Sequence, residues 1–303
     1  MSVDITALAV PDAVRPARAE WLVFLRRLAM RRTALFGLAV VALVVLTALA
    51  APLVSPFDPI AQDLGDLRLK PPGFRDGGGH VHPLGTDHLG RDLLARVIYG
   101  AQPALMVGFA AVVISGLIGM AAGLVSGYFG GRMDDVLMRL ADIQLAFPFI
   151  LLAIAVIGVL GPSLKTIIIV IGVSSWVVYA RIVRSAVLSL REREFVQAAI
   201  ALGSPHPRVI LRHIVPNALT PWLVIATLDM ARVIVLESAL SFLGLGVPPP
   251  TPTWGGMLAD GRVYLSTAWW LATFLGLAIL LTVLGINLLG DGLRDTFDPR
   301  LTV

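Results

Sequence analysis

The amino-acid sequence predicts an all-α integral membrane protein with six transmembrane helices, and three observations predict it. Hydrophobic residues make up 57% of the 303 and charged residues only 15%, with a mean hydropathy of +0.84, more apolar surface than a water-solvated fold accommodates. Six apolar stretches, roughly 33 to 54, 103 to 128, 140 to 160, 164 to 187, 217 to 246 and 268 to 290, reach the length that crosses a bilayer. None shows the alternation of a barrel strand, and lipid-facing backbone must satisfy its own hydrogen bonds, which leaves the helix.

The first 32 residues form a basic tail with Arg15, Arg18, Arg26, Arg27, Arg31 and Arg32, which places it in the cytoplasm by the positive-inside rule. Ala48-Leu49-Ala50 has the look of a signal-peptidase site, but the apolar run before it is too long and the tail too extended for a cleaved signal. The next unit, 33 to 102, joins the first span to an extracytoplasmic loop rich in proline and glycine. Order resumes at Gly85-Thr86-Asp87-His88-Leu89-Gly90-Arg91-Asp92, where Thr86 or Asp87 is expected to cap a helix. Leu93, Leu94, Val97, Ile98 and Ala101 share its apolar face, opposite Arg91, Asp92 and Arg96, so this helix is expected to lie along the membrane interface.

A five-helix core follows over 103 to 290. In the second span Gly119, Gly123 and Gly127 recur every fourth residue and make a smooth groove for a neighbouring helix. In the third, Pro148 removes a backbone donor and is expected to bend the helix just after Asp142 and Phe147. The fifth span carries Asp229, Arg232 and Glu237. Central charges cost about 2.5–3.5 kcal/mol each on the insertion scale, so the three cannot all face lipid. Asp229 and Arg232, three apart, can pair along the helix; all three, with Asp142, are candidates for a pathway or gate, or else for an internal ion pair and an interfacial glutamate. The residues from 291 to 303 form a C-terminal tail, predicted cytoplasmic.

Between the fourth and fifth spans lies a polar loop, 188 to 216. Phe195, Ala198, Ala199 and Leu202 recur at helical spacing, Gly203 can end that helix, and Ser204-Pro205 reads as the start of a second one carrying Arg208, Arg212 and His213 as far as Pro216. A helix-turn-helix on the membrane surface is built to be gripped by another protein.

Several chemistries are missing. No GxxxxGK followed by Ser or Thr is present to cradle a nucleotide phosphate, and neither HExxH nor GxSxG occurs, so no catalytic residue is assigned and the chain is read as a non-enzyme. His80, His82 and His88 do not make an organised ligand set, so no metal is assigned. With no cysteine there is no disulfide or thiol chemistry. The formal charge of +4 comes almost wholly from arginines between apolar spans, which points to membrane orientation rather than nucleic acid.

The loop resembles the EAA loop of ABC importer permeases: Ala198 and Ala199 stand as the paired alanines, Gly203 as the spaced glycine and Val215-Pro216 where Leu-Pro is usual, while Gln197 replaces the usual glutamate. The GTDxxGRD block with Gly100-Ala101, the Leu240 to Gly246 run with Pro248 to Pro250 and Pro252-Thr253-Trp254-Gly255, and Asn287 to Asp295 with Asp298-Pro299 resemble the C-type permease of the dipeptide, oligopeptide and nickel branch. The resemblance covers roughly 33 to 303. It implies a type I ABC importer permease fold in a bacterial inner membrane, with Glu194, Phe195, Gln197, Ala198, Ala199, Leu202, Gly203 and Pro216 in an ATPase-coupling loop. It further implies a homologous second permease, two cytoplasmic ATPases that bind ATP and Mg, an extracytoplasmic substrate-binding protein, and no cofactor in this chain. Dipeptides, oligopeptides, glutathione-like peptides and nickel complexes all stay open as cargo. An ion- or proton-driven secondary transporter, with Asp229 and Glu237 as coupling carboxylates, is the alternative from another class; a membrane scaffold is a third.

Overall fold

The computed structural model describes residues 30–297; Arg15, Arg18, Arg26 and Arg27 of the tail and Asp298-Pro299 of the last block lie outside the described residues. The elements are α1 (Arg32–Leu49), α2 (Ala51–Val54), a two-stranded antiparallel ribbon of β1 (Phe74–Arg75) and β2 (Val81–His82), α3 (Leu93–Phe129), α4 (Gly131–Ala146), α5 (Phe149–Leu160), α6 (Leu164–Arg191), α7 (Glu194–Ala201), α8 (His206–Val209), α9 (Val215–Phe242), α10 (Trp254–Gly261) and α11 (Trp269–Phe297). Among the described residues, α1, α3, α6 and α11 are each long and apolar enough to cross a membrane, and α4 with α5 makes a fifth crossing bent by 86°. The sixth, α9, has 28 residues and so reaches about 42 Å at about 1.5 Å per residue, but carries Asp229, Arg232 and Glu237.

Contacts set the direction of each crossing. Gly37 of α1 meets Gly285 and Leu289 of α11, and Gln102 of α3 donates to the Ala48 carbonyl at the far end of α1. Arg31, just before α1, pairs with Asp295 near the end of α11. The described chain therefore begins and ends at one end of the bundle, which also carries the α7–α8 hairpin; the Pro56–Asp92 loop sits at the other. We call these the hairpin end and the loop end.

The glycine groove explains the tightest packing. A Cβ on Gly119 would stand 2.4 Å from Tyr179 Cβ, one on Gly123 2.6 Å from the Ala180 carbonyl, and one on Gly127 2.8 Å from Val187 Cβ. Ascending numbers match on both helices, so α3 and α6 run parallel with their backbones in contact, an approach that only a missing side chain permits. Between them and α9 lies an apolar core of Val107, Ala111, Ile167, Ile171, Tyr179 and Val233. A second core at the loop end joins Leu93, Ile234, Trp254, Leu271 and Leu275.

Three local expectations change. The apolar face from Leu93 to Ala101 makes no separate interfacial helix; it is the first part of α3, 37 residues without a break, with Pro103 inside it. Neither Thr86 nor Asp87 caps that helix. Asp92 does, accepting from Ala95 N at 2.7 Å, because Asp87 is engaged by Leu89 N, Arg91 N and Arg91 Nε at 2.8, 3.0 and 2.7 Å, while Thr86 accepts from Lys70 N at 2.8 Å and donates to the Leu67 carbonyl. Arg91, Asp92 and Arg96 are accordingly buried rather than solvated. At Pro148 the helix does not merely bend but stops, with Phe147 extended at φ −89°, ψ 127°, the conformation favoured before proline.

Candidate functional site

The α7–α8 hairpin is built as a projecting lever with a fixed root. Helix α7 ends in a paired-bond cap: Gly203 takes φ +76°, its N–H donates to the Ile200 carbonyl at 2.9 Å, and Ser204 N donates to the Ala199 carbonyl at 3.1 Å. Glycine suits that left-handed position because it has no Cβ to clash. Ser204 does not cap the second helix as expected from sequence. Pro205 holds the cap position with no side-chain bond, and Ser204 N is already committed to the first helix. Nor does the second helix end at Pro216. It passes through a π turn, Ile210–Ile214, directly into α9, which leaves Pro216 inside a continuous helical run, its missing N–H falling at the join with the π turn.

Burial separates root from tip. Val196, Val209 and Ile214 are fully buried with Tyr128, Val183 and Val187, so both arms of the hairpin rest on the ends of α3 and α6. Phe195, Ala198 and Leu202, at positions i, i+3 and i+7, are exposed, Leu202 by 87%; Ala199 of the expected stripe is turned partly inward. Glu194 is exposed in the first turn of α7, where a negative charge suits the helix N-terminus. Gln197 Nε2 donates to the Arg191 carbonyl at 2.7 Å, a bond that a glutamate, able only to accept, could not make.

Polar links bind the root to the rest. Tyr128 Oη lies 2.8 Å from His206 Nδ1, and Arg191 reaches the Tyr128 carbonyl at 3.3 Å. Arg184 of α6 holds Asp134 of α4 through two bonds of 2.6 and 2.5 Å, and Ser126 donates to the same carboxylate at 2.5 Å. These bonds tie the hairpin to α3, and α6 in turn to α3 and α4. Sequence reasoning missed Tyr128, His206 and Asp134; each is an ordinary residue at a helix end whose partner lies many residues away, so no local pattern marks it.

The charges within the crossings divide into two sets. Asp229 is buried, bonded to Arg232 at 3.2 Å and to the Tyr179 hydroxyl at 3.1 Å. Glu237 is 0% exposed and accepts from Ser241 at 2.7 Å and Ser238 at 3.4 Å. Neither borders open space in this conformation. Asp142 and Arg181, by contrast, pair at 2.6 Å with side chains 65% and 50% exposed, and Arg232 is 50% exposed. Gln144 ties the same corner to α6 through the Ser174 carbonyl at 2.7 Å and Trp176 Nε1 at 2.6 Å. Side chains of this kind belong against water or another polypeptide, not lipid.

Of the three loop histidines, His82 is buried, donating from Nδ1 to Asp92 at 2.8 Å and stacked on Phe57 at 4.7 Å. His80 lies 3.2 Å from Asp76, and His88 stacks on Tyr264. His80 and His82 share Asp76, which lies 3.9 Å from His82 Nε2, but among the described residues no group of three or more His, Asp or Glu is placed to hold a metal.

Apolar helical crossings with a helical hairpin projecting at one end make the framework, and comparison with known proteins assigns it to the permeases of membrane transport systems. The chain belongs to the family described as binding-protein-dependent transport system inner membrane component, whose model matches residues 119–303. Residues 20–72 match the N-terminal TM domain of oligopeptide transport permease C. It is 45% identical over 278 residues, 92% of this chain and 91% of the relative, to a di/tripeptide transport system permease protein of Pseudomonas aeruginosa. It is 42% identical over 291 residues, 96% and 93% of the two chains, to a dipeptide transport system permease protein of Alkalihalophilus pseudofirmus. Among solved structures it shares its fold with a chain of the inward-facing MetNI methionine ABC transporter, at TM-score 0.55 and 20% identity over 68% of this chain and 98% of that one. An amino acid ABC transporter crystallised with histidines matches at TM-score 0.51 and 15% identity, over 66% and 94%. The fold is thus that of a type I ABC importer permease.

Proposed function

We propose that this chain is one half of the transmembrane pathway of an ATP-driven importer of short peptides, pulled through residues 188 to 216 by partner ATPases. The observation that carries the reading is the α7–α8 hairpin: an exposed stripe of Phe195, Ala198 and Leu202 on a root fixed to three crossings. Peptides are the cargo named for its relatives at 42–45% identity over more than nine-tenths of the chain.

In the mechanism, two cytoplasmic ATPases bind ATP and Mg and close on each other, each gripping one such hairpin. The hairpin follows, and Tyr128–His206 and Arg184–Asp134 pass the displacement to α3, α4 and α6, rocking the bundle between inward-open and outward-open. Asp142, Arg181 and Arg232 form the polar wall facing the passage and a homologous second permease. Asp229 and Glu237 hold α9 in register behind that wall. A binding protein delivers cargo at the loop end, and this chain makes and breaks no covalent bond.

The hairpin end is cytoplasmic in this reading, in an inner membrane, and both tails lie there. Arg132, Arg139, Arg191, Arg193, Arg208 and Arg212 crowd its connections, whereas the short connections at the loop end carry chiefly Lys165 and Arg262. The chain has no cysteine, so Leu202→Cys supplies a single thiol for cross-linking to a co-expressed ATPase subunit. An adduct in whole membranes is expected. A thiol at that position that reacts only with reagent added from outside the cell sinks the reading.

A further inference from the structure

At the loop end a cavity of about 270 Å³ opens between the start of α3, the last turn of α9, the Pro248–Thr251 segment and α10, with Arg91, Arg96, Ser241, Met257, Ala259 and Asp260 on its walls. Both arginine side chains are more than nine-tenths buried, and buried arginines are rare unless their charge is matched. Here the matching is incomplete. Among the described residues the buried carboxylate paired with them is Asp87, 2.7 Å from Arg91 Nε and 3.3 Å from Arg96 Nε, and its oxygens are already taken by Leu89 N, Arg91 N and Arg91 Nε. Arg96 spends one terminal nitrogen on the Pro59 carbonyl at 3.0 Å, while its buried Nε has no hydrogen-bond partner. Arg91 has no bond from either terminal nitrogen among the described residues. Two guanidinium groups share one saturated buried carboxylate, and the second acid of the cavity, Asp260, is exposed on its wall and acts on Arg96 through space, so free N–H donors rather than an excess of charge mark the site.

We propose that this cavity is a carboxylate-binding subsite that receives the C-terminal carboxylate of a short peptide, an inference that rests on the peptide-importer reading. The planar fork of Arg91 suits a carboxylate through two parallel bonds. Asp260 repels any anion, and a doubly charged phosphate about twice as strongly as a single carboxylate, so the weaker anion is the better fit. Small-molecule pockets usually span about 300–1,000 Å³, so this cavity admits the end of a short peptide and no more. Asp260 offers an acceptor to an ammonium group entering with it.

The full chain in lipid nanodiscs, titrated calorimetrically with dialanine, its C-terminal amide and acetate, tests the proposal. Dialanine binding at least about tenfold tighter than the amide is expected, since a charged hydrogen-bonded pair is lost. Arg91→Gln should abolish binding of dialanine and acetate, and Arg91→Lys should keep part of it. Because Arg91→Gln also releases Asp87, Ala259→Phe, which fills the cavity without touching a charge, should abolish dialanine binding at an unchanged melting temperature. Acetate binding lost in Arg91→Gln supports the subsite even if assembled transporter takes up no peptide, in which case the cargo reading fails alone. Peptide uptake that persists with equal affinity for dialanine and its amide, or with wild-type binding in both Arg91→Gln and Ala259→Phe, overturns the subsite and leaves the cargo reading standing.

Discussion

The hydroxyl of Tyr128, in the last turns of α3, stands 2.8 Å from Nδ1 of His206, the first residue of α8. The two are separated by 78 positions in sequence, and their contact joins the second crossing to the arm of the hairpin that leads into α9. In the proposed mechanism it is one route by which a pull on the hairpin reaches the bundle, beside the direct run of α8 into α9.

Tyr128→Phe should therefore separate transport from nucleotide turnover. Removing a neutral hydrogen bond of this kind costs about 1 kcal/mol, too little to unfold the protein. In proteoliposomes holding the complete importer, peptide imported per ATP hydrolysed should fall while ATP hydrolysis continues. An unchanged ratio would show that the contact carries no part of the stroke.

Leu202→Asp and Gly203→Ala should fail in different ways. Leu202 is so exposed that the change should move stability by less than about 0.5 kcal/mol yet abolish ATPase docking in a pull-down. Gly203→Ala places a Cβ at φ +76° and should cost about 1 kcal/mol in the hairpin. It should also speed amide exchange at Gly203 and Ser204. Matching effects of the two changes on docking and exchange would argue against a rigid lever.

Close packing of α3 on α6 predicts a sharp contrast between two glycines. Gly119→Ala would drive a methyl group to 2.4 Å from Tyr179 Cβ and should destabilise by about 1–3 kcal/mol. Gly158→Ala, on α5 with nothing within 4 Å of the new carbon, should be neutral or gain up to about 1 kcal/mol. Thermal melting in detergent decides; equal midpoints would mean that the two helices can separate freely.

Glu237→Gln should leave both expression and peptide uptake intact, because an amide oxygen can still accept from Ser241 and no open passage touches this side chain. Lost uptake with normal expression would move Glu237 from a register-holding role to a gate.

The crossings were legible because nothing but a membrane explains apolar runs of that length, and the end of α7 was legible because a glycine at Gly203 is a local signal with a local cause. The break at Phe147-Pro148 was only half legible. Apolar composition continues from α4 into α5, so the sequence registers one span, while the 86° turn is decided by tertiary packing and by the bonds from Gln144 to α6. The cap at Asp92 is hidden in the sequence for a similar reason. Thr86, Asp87 and Asp92 are all good capping residues, and the choice among them depends on Arg91 and Arg96 folding back onto Asp87. In the same way the buried state of those arginines is invisible to a helical wheel, which can assign polar residues only to a wet face. Among the proposed site residues, the exposed tip could be read by spacing, whereas Tyr128, His206, Asp134 and Arg181 act through partners far away in the chain.

Gly37 in α1 nests against Gly285 and Leu289 in α11, and Arg31 clasps Asp295. During synthesis α1 therefore meets α11 only after the crossings that lie between them in the chain have been made. Any nascent chain halted before α11 emerges would display an unpaired glycine face and a stray arginine, marks by which quality-control proteases could tell it from a copy that holds α11.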